Sequence, residues 1–311
     1  MAAATPDQHK PGRRWHVAIF LAPAVLVYTA IMIIPLFSTL VQSLFNTVDG
    51  ERAFVGLKNF QTLFGDPRWA ASFWNALKNN VWFFVVHMLV QNPIGVLLAA
   101  ILSNPNLRMR GFYRTAIFIP TILSFVIVGF VWKLILSPLW GIAPSMLDAI
   151  GLKHLFGSWL GQEGSALTTL ALVSVWQFVG IPMMLIYAAL LSIPDEVIEA
   201  AEIDGLTGMK QFFKIQLPLI LPTVGIISIL TFVGNFNAFD LIYVSQGAQA
   251  GPNFSTDLLG TLLYRTFFGF QLQLGDPNMG STIATMMFLI ILVGVAIYLF
   301  GIQTRLRRYQ F

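Results

Sequence analysis

The sequence predicts an all-α polytopic membrane protein with six transmembrane helices, on three observations. Apolar residues make up 56% of the 311 residues and charged residues 10%, whereas roughly a quarter of the residues in a soluble domain are charged. The mean hydropathy is +0.74. Six apolar runs are each long enough to cross about 30 Å of hydrocarbon. The absence of cysteine also excludes disulfides, iron–sulfur clusters and thiol catalysis.

The first apolar run follows a polar, basic segment, residues 1–16, and is too long for a signal-peptide core, so we interpret it as a retained first helix. Prolines within the first three runs predict kinks, which a bundle tolerates where neighbouring helices satisfy the freed backbone groups. One transmembrane domain, residues 17–302, is expected between the N-terminal segment and a C-terminal tail, residues 303–311. The six predicted spans are 17–44, 76–102, 112–136, 167–191, 218–245 and 281–302.

The distribution of lysine and arginine orients these spans. With both termini in the cytoplasm, eleven of the 18 basic residues lie in inner segments and seven in outer ones. The inner loops are also the shorter ones, so the bias agrees with the positive-inside rule. Because the basic residues flank the spans and form no stripe interleaved with aromatics, the pI near 9.4 gives no reason to expect a nucleic-acid partner.

The segment 193–217 is a charged stretch between the fourth and fifth spans, on the predicted cytoplasmic side. Its pattern predicts a short amphipathic helix, a sharp turn at Gly205 that a residue with a Cβ resists, a second helical piece, and a new helix opened by Pro218. Ala200, Ala201 and Ile203 offer a small surface against which another protein can pack. Acidic residues gather near the start, where a helix N-terminus favours them: Asp195, Glu196, Glu199, Glu202 and Asp204.

The run Glu199-Ala200-Ala201, followed by Gly205 and later by Ile215-Gln216-Leu217-Pro218, resembles the EAA loop of permease subunits in binding-protein-dependent (type I) ABC importers. The resemblance implies a bacterial inner-membrane protein with the type I permease fold. It also implies a second homologous permease, two ATP-binding subunits and an extracytoplasmic solute-binding protein as partners. The alternative is an ordinary interhelical loop. The residues implied to couple transport to the ATPase are Glu199, Ala200, Ala201, Asp204 and Gly205.

Three further elements resemble the sugar-importing branch of these permeases, which implies a saccharide or sugar derivative as substrate. They are the stretches 56–60 (Gly-Leu-Lys-Asn-Phe), 176–182 (Trp-Gln-Phe-Val-Gly-Ile-Pro) and 235–240 (Asn-Phe-Asn-Ala-Phe-Asp). Two positions depart from the pattern of this branch. Leu206 stands where alanine is commoner, and residues 245–248 replace the usual Gly-Gly-Pro turn.

No catalytic or metal site is predicted. Residues 275–282 have the glycine spacing and hydroxyl pair of a phosphate loop, but they lack its lysine and precede a transmembrane run rather than follow a strand. The four histidines share no ligand spacing. We therefore expect no enzymatic activity and no cofactor in this chain, with ATP and magnesium bound by the partner ATPase subunits.

The predicted substrate path lies in the fourth and fifth spans. Asp240 is the only acidic residue inside a predicted span. A charge there is costly without a partner or water. Asn237, three residues earlier, is expected to share its helix face, and amide and carboxylate groups beside aromatics suit a sugar. The resemblance implies that this helix lines the path. A structural polar cluster is the alternative. The predicted path residues are Trp176, Gln177, Gly180, Asn235, Asn237 and Asp240.

Asn80, His87 and Gln91 are predicted to share one face of the second helix. They either bond to other helices or line the path. Two rival functions stay open: a type I permease for a non-sugar solute, and an ion-coupled secondary carrier with Asp240 as the coupling acid. Such carriers tend to show internal repeats with paired broken helices, and no motif here has a second copy.

Overall fold

The computed structural model describes residues 15–48, 51–271 and 273–304. Within these residues the chain forms sixteen α-helices, with π or 3-10 turns joining or extending several of them, and one small β-hairpin. The predicted segments 1–16 and 303–311 lie almost wholly outside the described residues. In chain order, the helices up to the middle of the chain are α1 Trp15–Tyr28, α2 Ile34–Gln42, α3 Lys58–Gly65, α4 Pro67–Val86, α5 Asn92–Ser103, α6 Arg110–Phe118, α7 Phe125–Ile135 and α8 Ala143–Ala149. The remaining helices are α9 Glu163–Phe178, α10 Gly180–Leu191, α11 Asp195–Ile203, α12 Gly208–Gln211, α13 Leu217–Phe236, α14 Asp240–Gln246, α15 Leu259–Phe268 and α16 Pro277–Ile297.

Among the described residues, four helices are long and apolar enough to cross a membrane: Val17–Gln42, Pro67–Ser103, Gly208–Phe236 and Pro277–Gly301. Two further spans are bent pairs, α6 with α7 at 98° and α9 with α10 at 41°. Counting each pair as one span gives six, in agreement with the predicted fold class. The third span differs most from the prediction, which was one continuous span over 112–136. Pro120 lies in a 3-10 turn, and Ser124 starts a new helix by accepting a hydrogen bond from the Ile127 N–H.

Three of the long spans accommodate a proline by the same backbone geometry. Pro35, Pro93 and Pro218 each occupy the second residue of an α-helix that follows directly on a five-residue π turn. A proline inside a helix removes a hydrogen bond and its ring crowds the carbonyl four residues earlier. The wider π turn relieves that clash, so the three spans continue past the proline.

The fifth span ends earlier than the predicted 218–245. The helix ends at Phe236, and α14 begins only at Asp240. The amide nitrogens of Asn235 and Asn237 donate to Thr231 O and Val233 O, four residues earlier on the same helix. Such side chains compete with the backbone for its carbonyls, which explains why the helix stops here. The second and fourth spans begin earlier than predicted, at Pro67 and Glu163.

A small β-hairpin lies between the first two spans of this otherwise helical fold. Strand β1, Phe45–Val48, pairs antiparallel with β2, Glu51–Phe54, and the Phe45 and Phe54 rings meet edge to face. Asn59, from the 56–60 element, is buried and donates to Ser43 O and Phe45 O. Gly56 supplies the positive φ of 58° that turns the chain toward it. This element therefore fixes the end of the first span.

The segment that follows the fifth span, residues 237–276, contains α14 and α15 and is called the cap. It lies at the opposite end of the span Gly208–Phe236 from the segment 193–217. Asn80 on α4 holds it in place, because its amide donates to Asn235 O and accepts from the Leu259 N–H. Asn79 donates to Ser255 O and Asp257 O. Within the cap, Asp257 is buried and paired with Arg265.

Candidate substrate path and coupling segment

A cavity of about 300 Å³ lies between the second, third, fourth and fifth spans and the beginning of the cap. Aromatic side chains make up part of its wall, from Phe83, Phe125, Phe178 and Phe239. Its polar lining comes from three separate stretches of the chain. In chain order, these residues are His87, Gln91, Ser174, Thr231, Asn235, Asn237 and Asp240.

Asn235, Asn237 and Asp240 all contribute to this wall, but not as the sequence predicted. Asn235 lies in the last turn of α13, Asn237 follows the end of that helix, and Asp240 is the first residue of α14. The expectation that Asn237 and Asp240 share one helix face inside a span is therefore wrong. The break between the two helices brings the three side chains to the cavity instead.

Trp176, Gln177 and Gly180 lie outside the residues that line the cavity. Trp176 is 42% exposed and contacts Trp132 edge to face at 5.4 Å. Gln177 is fully buried, and its amide donates to Leu123 O at 3.0 Å. A Cβ on Gly180 would lie 3.0 Å from the Phe118 Cα. These contacts hold the fourth span against the bent third span, and a place in the substrate path stays a prediction for all three residues.

Asn80, His87 and Gln91, which were predicted on one face of the second helix, do not all contact the same part of the molecule. Asn80 holds the cap, whereas His87 and Gln91 reach the cavity. His87 Nδ1 donates to Phe83 O at 2.8 Å, because a carbonyl only accepts, so Nε2 of the neutral ring accepts from the Ser174 hydroxyl at 3.0 Å. The Gln91 side chain has no hydrogen-bond partner among the described residues, and its Oε1 is enclosed.

Ser174 and Thr231 belong to the cavity wall but were not predicted from the sequence. Thr231 Oγ1 donates to the Asn92 side chain at 3.3 Å, and Ser174 bonds to His87. The available signal was a small hydroxyl residue within an apolar span. It is weak, because such hydroxyls more often bond to their own helix, as Ser228 does to Val224 O.

The segment 193–217 forms the predicted short helix, α11, followed by a turn centred on Gly205. Gly205 has a φ of +76°, the left-handed conformation that favours glycine. The Leu206 N–H donates to Ala201 O at 2.9 Å, and the Gly205 N–H donates to Glu202 O at 3.0 Å. This pair of bonds is the Schellman motif that closes helix C-termini, so Gly205 fixes where α11 stops.

The surface of α11 differs from the expected one at a single residue. Glu199, Ala200, Asp204 and Gly205 are exposed, and so is Ile203, at 88%. Ala201, which was expected to face a partner, is only 5% exposed and packs within the chain. The amide of Gln211 on α12 donates to Ile198 O at 3.2 Å, which ties α11 to the base of the fifth span.

Within the described residues, no group of three or more histidine, aspartate or glutamate side chains could hold a metal ion. The residues 275–282 start α16, where Asp276 caps the helix by accepting from the Asn278 and Met279 N–H groups. The glycine spacing there thus belongs to a helix start. The absence of a cofactor stays a prediction.

Comparison with known proteins identifies the class of this membrane protein. The chain belongs to the family of binding-protein-dependent transport system inner membrane components, whose model matches residues 91–308. It is therefore a multi-pass inner-membrane permease component of a binding-protein-dependent transport system.

Two relatives and one solved structure illustrate the likeness. The probable ABC transporter permease protein YurN of Bacillus subtilis is 35% identical, over 88% of this chain and 91% of the relative. The lactose transport system permease protein LacF of Rhizobium radiobacter is 32% identical, over 88% and 89%. The fold is that of a bacterial ABC transporter involved in the import of the acidic polysaccharide alginate, with a TM-score of 0.78 and 23% identity over 95% of this chain and 96% of that one.

Proposed function

We propose that this chain is the membrane-spanning subunit through which an ATP-driven importer moves a saccharide or sugar derivative. The observation that carries this proposal is the cavity, in which amide, hydroxyl and carboxylate groups lie beside four phenylalanine rings. Sugar hydroxyls need paired donors and acceptors, and the C–H faces of a sugar ring pack on aromatic surfaces. A relative named as a lactose permease supports the same substrate class.

The proposed importer contains a second, similar permease and two ATP-binding subunits, and an extracytoplasmic binding protein delivers the sugar. Both termini and the segment 193–217 lie in the cytoplasm, as the distribution of basic residues favours. Glu199, Ala200, Asp204 and Gly205 then face an ATPase subunit. Ala201 supports them from within, because it packs against the rest of the chain.

Movement of the ATPase subunits reaches the cavity through the fifth span. The helix Gly208–Phe236 runs for 29 residues without a break. Its base is tied to α11 by the bond from Gln211, and its other end carries Thr231 and Asn235 in the cavity wall. Closure of the ATPases on α11 therefore displaces one wall of the cavity. Hydrolysis in the partner subunits resets it.

Uptake into proteoliposomes containing the complete importer tests this function. We expect accumulation of a saccharide that requires ATP and the binding protein. The purified chain alone should neither bind nor hydrolyse ATP, because it lacks a phosphate-loop lysine. Nucleotide turnover by the isolated chain, or sugar uptake without the ATPase subunits, would contradict the proposal.

A further inference from the structure

Gln91 is a buried polar residue whose side chain forms no hydrogen bond to another described residue. Its side chain lines the cavity, the residue is only 6% exposed, and its carbonyl oxygen is enclosed without a hydrogen-bond partner among the described residues. A buried acceptor that is left without a hydrogen bond destabilises the fold. Natural structures keep few such groups, and each one calls for an explanation.

Gln91 ends the π turn His87–Gln91, which precedes Pro93. The turn places His87 and Gln91 on the same wall, four residues apart. His87 is fully engaged, because its ring bonds to both Phe83 O and Ser174 Oγ. Ser174 uses its hydroxyl hydrogen on His87 and keeps its acceptor lone pairs free.

The charges of the cavity favour an uncharged ligand. Among the described residues that line it, Asp240 carries a carboxylate and none is lysine or arginine. Asp240 has no ion-pair or hydrogen-bond partner in the described part of the chain. Recognition of a carboxylate or phosphate normally uses arginine or lysine, and a like charge nearby repels it. A sugar hydroxyl, which both donates and accepts, instead matches a free carboxamide.

We propose that Gln91, beside the Ser174 oxygen that His87 positions, is the anchoring residue of a subsite for a hydroxyl of an uncharged saccharide. This proposal rests on the proposed function and narrows its substrate class. The solved importer of similar fold takes part in the import of an acidic polysaccharide, so fold alone leaves the charge of the substrate open. The cavity wall of this chain assigns it to the neutral class.

The test uses the complete importer in proteoliposomes with its binding protein. The probes are lactose, maltotriose and arabinotriose as neutral sugars, and an alginate trisaccharide as the acidic one. We expect uptake of at least one neutral probe and none of the alginate trisaccharide. Uptake of the alginate trisaccharide as fast as any neutral probe would overturn the proposal. Uptake of no probe at all would remove the proposed sugar function, and this inference with it.

The variant Gln91→Met removes the amide while nearly keeping the side-chain shape. Because Gln91 has no protein partner to lose, the thermal stability of the assembled complex should stay unchanged or rise. Uptake of the neutral probe below saturation should fall about 5- to 100-fold per assembled complex, the loss expected when a buried hydrogen-bonding group goes unpaired. A structural glutamine would give the opposite pattern, lower stability with normal uptake per complex.

The same exchange at Gln246 provides the matched control. Its amide donates to Leu160 O at 2.9 Å, outside the cavity, so Gln246→Met should leave uptake per assembled complex within about twofold, a change well below one hydrogen bond. Normal uptake by Gln91→Met, or equal losses in the Gln91 and Gln246 variants, would refute the role of Gln91.

Discussion

The segment 193–217 and the cavity lie toward opposite ends of the helix Gly208–Phe236, and they are built in opposite ways. The segment is contiguous in sequence, and all but one of its predicted coupling residues are exposed. The cavity gathers residues from four separate parts of the chain and buries most of their polar atoms. A surface that meets a partner can be encoded locally, whereas a path through a membrane needs several helices to supply its polar groups.

The largest expected effect is at Gly205. In Gly205→Val, a β-branched residue must adopt a φ of +76°, which costs about 1–2 kcal/mol, and the two hydrogen bonds of the helix end contribute about 1 kcal/mol each. Transport and ATPase activity stimulated by the binding protein should both fall about 100-fold, while the chain still inserts. Asparagine tolerates the left-handed conformation, so Gly205→Asn should keep most of both activities. Near-normal coupling in the valine variant would refute the assignment of this turn.

At the cavity, alanine at Asn235, Asn237 or Asp240 should lower uptake about 5- to 100-fold per assembled complex, because each change leaves a sugar hydroxyl unpaired. The affinity of the binding protein for its sugar should not change, since the sugar meets that protein first. If these residues only hold helices together, assembly will suffer while uptake per complex stays normal. Uptake normalised to assembled complex, measured for each variant, separates the two roles.

Ala200 and Ala201 in the segment 193–217 give a matched pair of variants. We expect an effect of about tenfold on a different quantity for each. Ala201 is buried within the chain, so Ala201→Leu overpacks the interior, costs about 1–3 kcal/mol and should lower the yield of folded permease. Ala200 is exposed, so Ala200→Leu should leave folding intact and weaken binding of the ATPase subunit. Permease yield and ATPase co-purification, measured on both variants, check the distinction. The same phenotype for both variants would contradict it.

The smallest effect is expected at Trp176, which lies away from the cavity wall. Trp176→Ala loses an edge-to-face contact with Trp132, worth about 0.5–1.5 kcal/mol of packing. Uptake per assembled complex should change by less than about threefold, because this contact stabilises the packing of the spans and lies away from the cavity. A fivefold or larger loss would instead place Trp176 in the substrate path, as the sequence predicted.

The six-span fold and the short helix and turn of the segment 193–217 could be predicted because their signals are local. Long apolar runs define spans, and Gly205 after an acidic helix defines a turn. The cavity was harder to predict from the sequence. Asn235 and Asn237 end the fifth helix by bonding to its carbonyls, and a hydropathy pattern does not show such a break. Gln177 and Gln91 look alike in the sequence, yet one packs two spans together and the other faces the cavity. Only the arrangement of the helices separates them.

The central claim is that the segment 193–217 moves the cavity wall through a continuous fifth span. The chain contains no cysteine, so spin labels can be attached to cysteines introduced at the exposed residues Met209 and Leu230, which a helix would separate by about 31 Å. Pulsed electron spin resonance on the complete importer, without nucleotide and with ATP trapped, measures this distance. We predict an unchanged 209–230 distance between the two states, with a changed distance from residue 209 to a label at Ile127 on the third span. A 209–230 distance that changes by several ångströms would show that the span bends and would contradict the account.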